Sequence, residues 1–85
     1  MAAAKKVVQA ARNNPKGVRF SDLEKVVKHM GYSFSRQNGS HRSFRHASAP
    51  GITLQSGKDG MAKPYQVRQV LAIMDEYDLP EKEEE

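Results

Sequence analysis

Cysteine is absent from this 85-residue chain, and its absence excludes several kinds of chemistry. Without cysteine there is no disulfide framework, no thiolate nucleophile and no cysteine-based zinc site. A chain without disulfides is suited to a reducing compartment, so we expect a cytoplasmic protein.

Long apolar runs are also missing. No run approaches the ~18–20 residues needed to span a bilayer, so we expect no membrane association. The first residues, Met1 to Lys6, lack the hydrophobic segment of a signal peptide, and we expect none. An apolar fraction of 38% in a chain this short indicates one small domain with a modest core.

Acidic residues are scarce in the middle of the chain. The segment from Arg36 to Arg68 contains six basic residues and a single acid, Asp59. The acids concentrate instead in the tail, residues 81–85, which holds four glutamates and one lysine. We expect this tail to be disordered, and the basic remainder favours a polyanion such as nucleic acid as partner.

The first third of the chain predicts two helices. Residues 2–12 are rich in alanine, and the proline and glycine within residues 13–17 oppose continuation of this helix. Ser21 and Glu24 have the spacing of a capping box. An apolar stripe follows at helical spacing and ends at Gly31; its members are Leu23, Val26, Val27 and Met30.

After this helix the apolar period changes to two, which predicts a three-stranded antiparallel meander. Asn38 and Gly39 are a strong hairpin turn signal because both tolerate positive φ. Pro64 suits the first turn of a last helix. The result is an α+β fold of order α-β-β-β-α, with both helices packed on the apolar face of the sheet and an extra helix before them. We divide the chain into a helical extension, the domain and the acidic tail: 1–14, 15–80 and 81–85.

Strand alternation predicts the direction of His41. Phe44 is the one large apolar residue of the second strand, so we expect it in the core. His41 lies three positions earlier and therefore faces away from the helices. Ser43 and Arg45 share the face of His41. On the first strand the same logic buries the two aromatic residues, Tyr32 and Phe34.

Basic residues lie close to His41 in the sequence. An imidazole titrates near neutrality and can move a proton, while Arg36, Arg42 and Arg45 are permanently charged and suited to phosphate. Lys58 and Lys63 adjoin a glycine-containing loop before the last helix, where backbone amides favour an anion. A proton-transfer group among phosphate-binding groups predicts cleavage of RNA.

The other histidines have structural interpretations. His29 lies near a helix C-terminus, where a cation complements the dipole. His46 follows His41 by five residues, so on a regular strand the two face opposite ways. We therefore predict no metal site and no cofactor.

The triplet Gly39-Ser40-His41 followed by Phe44, within helix–strand–strand–strand–helix, resembles the HicA family of bacterial toxins. The resemblance runs from about Val18 to Leu79 and includes the segments 22–23, 30–32, 36–44 and 67–71. It implies a fold like the double-stranded-RNA-binding domain, messenger-RNA interferase activity that arrests translation, and a HicB-type antitoxin as partner. It also implies that His41 is catalytic and that Gly39 and Ser40 shape the turn presenting it.

Our hypothesis is metal-independent RNA cleavage with His41 as general base. The basic candidates for holding the RNA phosphates are Arg36, Arg42, Arg45, Lys58 and Lys63. Two alternatives remain open. One is a non-catalytic RNA- or DNA-binding module of the same fold, and the other is a protein-interaction domain whose basic face meets an acidic partner.

Overall fold

A computed structural model describes residues 2–79. The helices and strands are α1 (Ala2–Asn13), α2 (Phe20–His29), β1 (Ser33–Asn38), β2 (His41–Arg45), β3 (Ile52–Gln55) and α3 (Pro64–Glu76), with 3-10 turns at Pro15–Gly17 and Lys58–Gly60. The sheet is antiparallel with strand order β1-β2-β3. The predicted α+β fold of order α-β-β-β-α, preceded by an extra helix, is confirmed. The acidic tail at 81–85 lies outside the described residues.

The core forms where the apolar stripes of α2 and α3 meet the sheet. The α2 stripe predicted from the sequence is buried, and α3 buries a second stripe of Val67, Val70, Leu71 and Met74. They join the apolar residues of β2 and β3 in one cluster, which includes Leu23, Val26, Val27, Phe44, Ile52, Leu54, Val67 and Val70. One face of the sheet is therefore covered by helices. Among residues 2–79, no helix has the length and apolar character needed to cross a membrane.

The beginning of α2 differs from the prediction. The helix begins at Phe20 with Arg19 as its N-cap, and no side chain caps it. Arg19 is held in extended backbone by an antiparallel bridge to Met61, which places Ser21 inside the first turn. The capping box predicted at Ser21 and Glu24 is wrong, because the Glu24 carboxylate instead pairs with Arg42.

Helix α1 packs against α2 and α3. Ala11 is buried in the core cluster. The Arg12 guanidinium makes two hydrogen bonds to the carboxylate of Asp75 on α3, at 3.0 and 2.7 Å. This hydrogen bonding by Arg12 lowers the pKa of the Asp75 carboxyl, so the contact favours docking of α1 when the carboxyl is ionised.

Replacing Asp75 with asparagine should lower the free energy of unfolding by about 0.2–1 kcal/mol at neutral pH, the range for exposed ion pairs. A carboxyl with a lowered folded pKa contributes stability above its unfolded pKa of about 3.9, and loses it as pH falls through the folded value. The difference between wild type and Asp75→Asn should therefore shrink in acid. Urea unfolding at neutral and acidic pH measures this difference in unfolding free energy, with Asp78→Asn as a control. A difference that stays the same in acid would contradict this role of the ion pair.

Candidate active site

Strand pairing assigns each side chain of β2 to one face of the sheet. Phe44 is 1% exposed and lies opposite Phe34 and Ile52, on the side of the helices. Alternation then places His41, Ser43 and Arg45 on the other side, which we call the open face. His41 and Arg45 are exposed there, as the alternation predicts.

A β-bulge in β1 adds a further arginine to the open face. The register shifts between Phe34 and Arg36, so Phe34 pairs with Phe44 while Arg36 pairs with Ser43. Directly paired residues share a face, and the extra residue, Ser35, is the one left unpaired. Arg36 therefore lies on the open face with His41. Regular alternation would have placed it on the helix side with Phe34.

The β1–β2 hairpin ends the sheet beside His41. Asn38 pairs with His41, so the two-residue turn consists of Gly39 and Ser40, one position later than the turn predicted from the sequence. Gly39 has φ of 66°, a conformation that glycine adopts without strain. The Gln37 side-chain amide donates to the Gly39 carbonyl oxygen at 3.0 Å. His41 is thus the first strand residue after a fixed turn.

Gln55 is a neighbour of His41 that the sequence did not reveal. It lies opposite His41 on β3, and its Nε2 donates to Ser40 Oγ at 3.1 Å. Its Oε1 accepts from Lys63 Nζ at 3.3 Å. This chain of contacts brings Ser40 and Lys63 to the end of the sheet that carries His41. Lys58 is exposed in the preceding loop.

A buried glutamine holds β3 in place at this end. Gln66 on α3 is 5% exposed, and its Oε1 accepts from the backbone N–H of Gln55 at 3.1 Å. Its Nε2 donates to the carbonyl oxygen of Thr53 at 3.4 Å. These bonds satisfy backbone groups on the outer edge of the sheet and fix Gln55 beside His41.

Arg42 lies on the helix side of the sheet, away from His41. It forms an ion pair with Glu24 of α2 and donates to Gln37 Oε1 at 2.9 Å. Its guanidinium also lies over the Phe34 ring, 4.6 Å from the centroid. The structure therefore does not bring Arg42 together with Arg36 and Arg45, and its contacts connect α2 to the sheet.

Phe34 is 45% exposed, so the prediction that it is buried is wrong. The ring meets Phe44 edge-on at 5.9 Å, but it lies on the outer strand. Its covering residue is the charged Arg42 and not an apolar side chain. Tyr32, the other aromatic residue predicted to be buried, is 4% exposed.

His46 is tied into the structure by both ring nitrogens. Nδ1 accepts from the backbone N–H of Ser48 at 2.9 Å, which requires Nδ1 to be unprotonated. Nε2 then carries the proton and donates to the Met30 carbonyl oxygen at 3.1 Å. The ring also packs 4.8 Å from that of Tyr32. His46 is therefore a structural histidine joining the end of β2 to the end of α2.

His41 differs from His46 in having an accessible ring. Within residues 2–79 no hydrogen bond or ion pair to its imidazole is observed. The described part of the chain also holds no group of three or more potential metal ligands. An accessible imidazole on the same sheet face as two guanidiniums can exchange a proton with an anionic molecule bound there.

These features define a small α+β domain whose open sheet face carries an accessible histidine at the hairpin end and two arginines farther along the strands. A sequence model of a family described as the HicA toxin of bacterial toxin–antitoxin systems matches residues 20–75, which is more than half of the chain. The chain belongs to the HicA toxin family. It is therefore a toxin of a toxin–antitoxin system, and its partner is an antitoxin. The match begins where α2 begins and leaves out α1. No curated protein and no solved structure is significantly similar to the chain.

Proposed function

We propose that this toxin is a metal-independent ribonuclease that cleaves messenger RNA in the cytoplasm and so arrests translation. The observation that carries the proposal is the open face, where an accessible His41 lies on the same side of the sheet as Arg36 and Arg45. Membership of the HicA family supports the same activity.

In the proposed reaction His41 acts as general base. A neutral imidazole nitrogen takes the proton of a ribose 2′-OH, and the oxygen attacks the adjacent phosphorus atom. The bond from phosphorus to the 5′ oxygen breaks, and the leaving oxygen takes a proton from water. The products are a 2′,3′-cyclic phosphate and a 5′-hydroxyl. The imidazolium then returns its proton to water.

The arginines of the open face supply the electrostatic part of catalysis. Arg36 lies opposite Ser43, diagonally across from His41, within the reach of a long side chain. Its guanidinium stabilises the charge that develops on the phosphate oxygens. Arg45 lies four residues along β2 from His41 and binds the continuing RNA backbone. Arg42 contributes by positioning β2 against α2 through its contact with Glu24.

The hairpin end of the sheet provides further RNA contacts in this proposal. Gly39 has open space where a Cβ would stand, so a phosphate can approach its backbone. The Ser40 hydroxyl and the Lys63 ammonium are held beside His41 through Gln55. Lys58 is exposed and attracts RNA at longer range.

A HicB-type antitoxin would inactivate the toxin by covering the open face. The partner would need acidic groups opposite Arg36 and Arg45, and it would exclude RNA from His41. This follows from charge complementarity at an exposed basic surface.

Incubating the purified protein with end-labelled messenger RNA in EDTA tests the proposal. We expect cleavage to fragments whose 5′ part ends in a 2′,3′-cyclic phosphate, which resists phosphatase until the ring is opened by acid. Cleavage that requires added Mg²⁺, or fragments with a 5′-phosphate, would contradict the proposed chemistry. Stable RNA binding without cleavage would favour a non-catalytic RNA-binding module.

A further inference from the structure

The open face contains a cavity that lies beyond His41 along β2. Its volume is about 290 Å³. Gly51 of the β2–β3 connection lies at its border. The polar side chains that line it come from all three strands and are Ser35, Arg36, Ser43, Arg45 and Thr53. Neither His41 nor Gln55 belongs to the lining, so the cavity is distinct from the place where the proton would be transferred.

The lining has the composition of a phosphate site. It contains the guanidinium of Arg45, that of Arg36 on the side nearer the scissile phosphate, three hydroxyls and no carboxylate. Ser43 Oγ lies 3.4 Å from Thr53 Oγ1 on the adjacent strand, so two hydroxyls stand side by side in the cavity. Guanidinium groups bind phosphate through paired N–H donors, and hydroxyls can turn their hydrogens toward its remaining oxygens.

The distance from His41 to the cavity suits a neighbouring phosphate of the same RNA strand. Ser43 and Arg45 follow His41 at steps of two residues on the same face, and two residues of an antiparallel strand advance about 6.8 Å. The cavity therefore begins about 7 Å from His41 along β2 and extends to about 14 Å. A polynucleotide lying along this strand would place a neighbouring phosphate over the cavity when its scissile phosphate is at His41.

We propose that this cavity is a phosphate subsite that holds the RNA backbone next to the scissile phosphodiester. This rests on the proposed ribonuclease function and extends it to Ser35, Ser43 and Thr53. The only aromatic residue at the lining is Phe44, whose side chain is buried in the core and offers no ring for a base to stack on. The subsite therefore reads the phosphate and not the base.

Binding of nucleoside 3′,5′-bisphosphates to the His41→Ala protein tests the subsite without any cleavage. Titration by NMR should show binding that is similar for the four nucleosides. Arg45→Gln should weaken it at least about tenfold, since it removes a charge-assisted hydrogen bond, and Thr53→Val about two- to tenfold. Ser21→Ala on α2 and Arg68→Gln on α3 are matched controls on the helices, outside the cavity, and should leave the affinity unchanged. Thermal unfolding establishes that each variant is folded.

Oligonucleotide length gives a second measurement, with catalysis as the readout. A dinucleotide has one phosphodiester and cannot fill the subsite, whereas a tetranucleotide can. The ratio of kcat/KM for the tetranucleotide over the dinucleotide should fall in Thr53→Val and stay at the wild-type value in Ser21→Ala.

The two proposals fail in different ways. If the wild-type protein cleaves no RNA but bisphosphate binding depends on Arg45 and Thr53, the phosphate subsite is supported and the ribonuclease function is contradicted. If the wild-type protein cleaves RNA but neither substitution changes bisphosphate binding, the subsite is contradicted and the ribonuclease function is supported. Strong preference for one nucleoside would contradict a site that reads only phosphate.

Discussion

Replacing His41 with alanine should lower the rate of RNA cleavage by about 10²–10⁴-fold, the usual contribution of a general acid or base. The melting temperature should stay close to that of wild type. His41 is exposed and makes no observed side-chain hydrogen bond within residues 2–79, and substitutions at such surface positions usually change stability by less than about 0.5 kcal/mol. Cleavage rates in EDTA and thermal unfolding of the same samples measure both quantities.

A second histidine provides the control for this experiment. His29 lies in the last turn of α2, away from the open face, and His29→Gln should retain the wild-type rate. His46 is unsuitable, because its ring bonds Met30 and Ser48 and its removal would disturb the fold. A His41→Ala protein that is folded and keeps more than about a tenth of the activity would contradict a general-base role.

Replacing Phe44 with alanine should destabilise the domain by about 3–5 kcal/mol, the usual cost of removing a buried phenyl ring. Phe44 is 1% exposed and belongs to the core cluster. Domains of this kind have total stabilities of about 5–15 kcal/mol, so the substitution should remove a large share of the stability and raise the unfolded fraction. Cleavage activity should fall through loss of folded protein, since the ring itself lies on the helix side of the sheet.

Phe34 offers a control of the same residue type directly opposite in the sheet. It pairs with Phe44 but is 45% exposed, so Phe34→Ala should cost less than half as much. Urea unfolding of the two variants and wild type gives the comparison. Equal losses of unfolding free energy would show that the ring of Phe34 supports the core as much as that of Phe44 does.

Apolar periodicity was enough to predict α2, the strands of the meander and the face of His41. The reason is that β2 has a single large apolar residue. Once Phe44 is assigned to the core, a period of two leaves one possible direction for His41. Likewise, the apolar residues from Leu23 to Met30 fall on one side of the segment only if it is helical.

The parts of the site that could not be predicted depend on contacts between distant residues. The bulge at Ser35 and the exposure of Phe34 follow from how β1 pairs with β2. The missing capping box follows from an ion pair spanning 18 positions, between Glu24 and Arg42. Gln55 meets His41 only in the register that the β2–β3 connection allows. Neither propensity nor periodicity contains this information.

The bulge means that a change of one neutral residue in β1 could alter the site while every charged residue is retained. Deleting Gln37 would remove the bulge and pair Arg36 with Arg42, so the guanidinium of Arg36 would then face the helices. Net charge would be the same, and a comparison of aligned basic residues would show no difference. In comparing HicA proteins, the length of the first strand up to the hairpin glycine is therefore as informative about the open face as the number of its arginines.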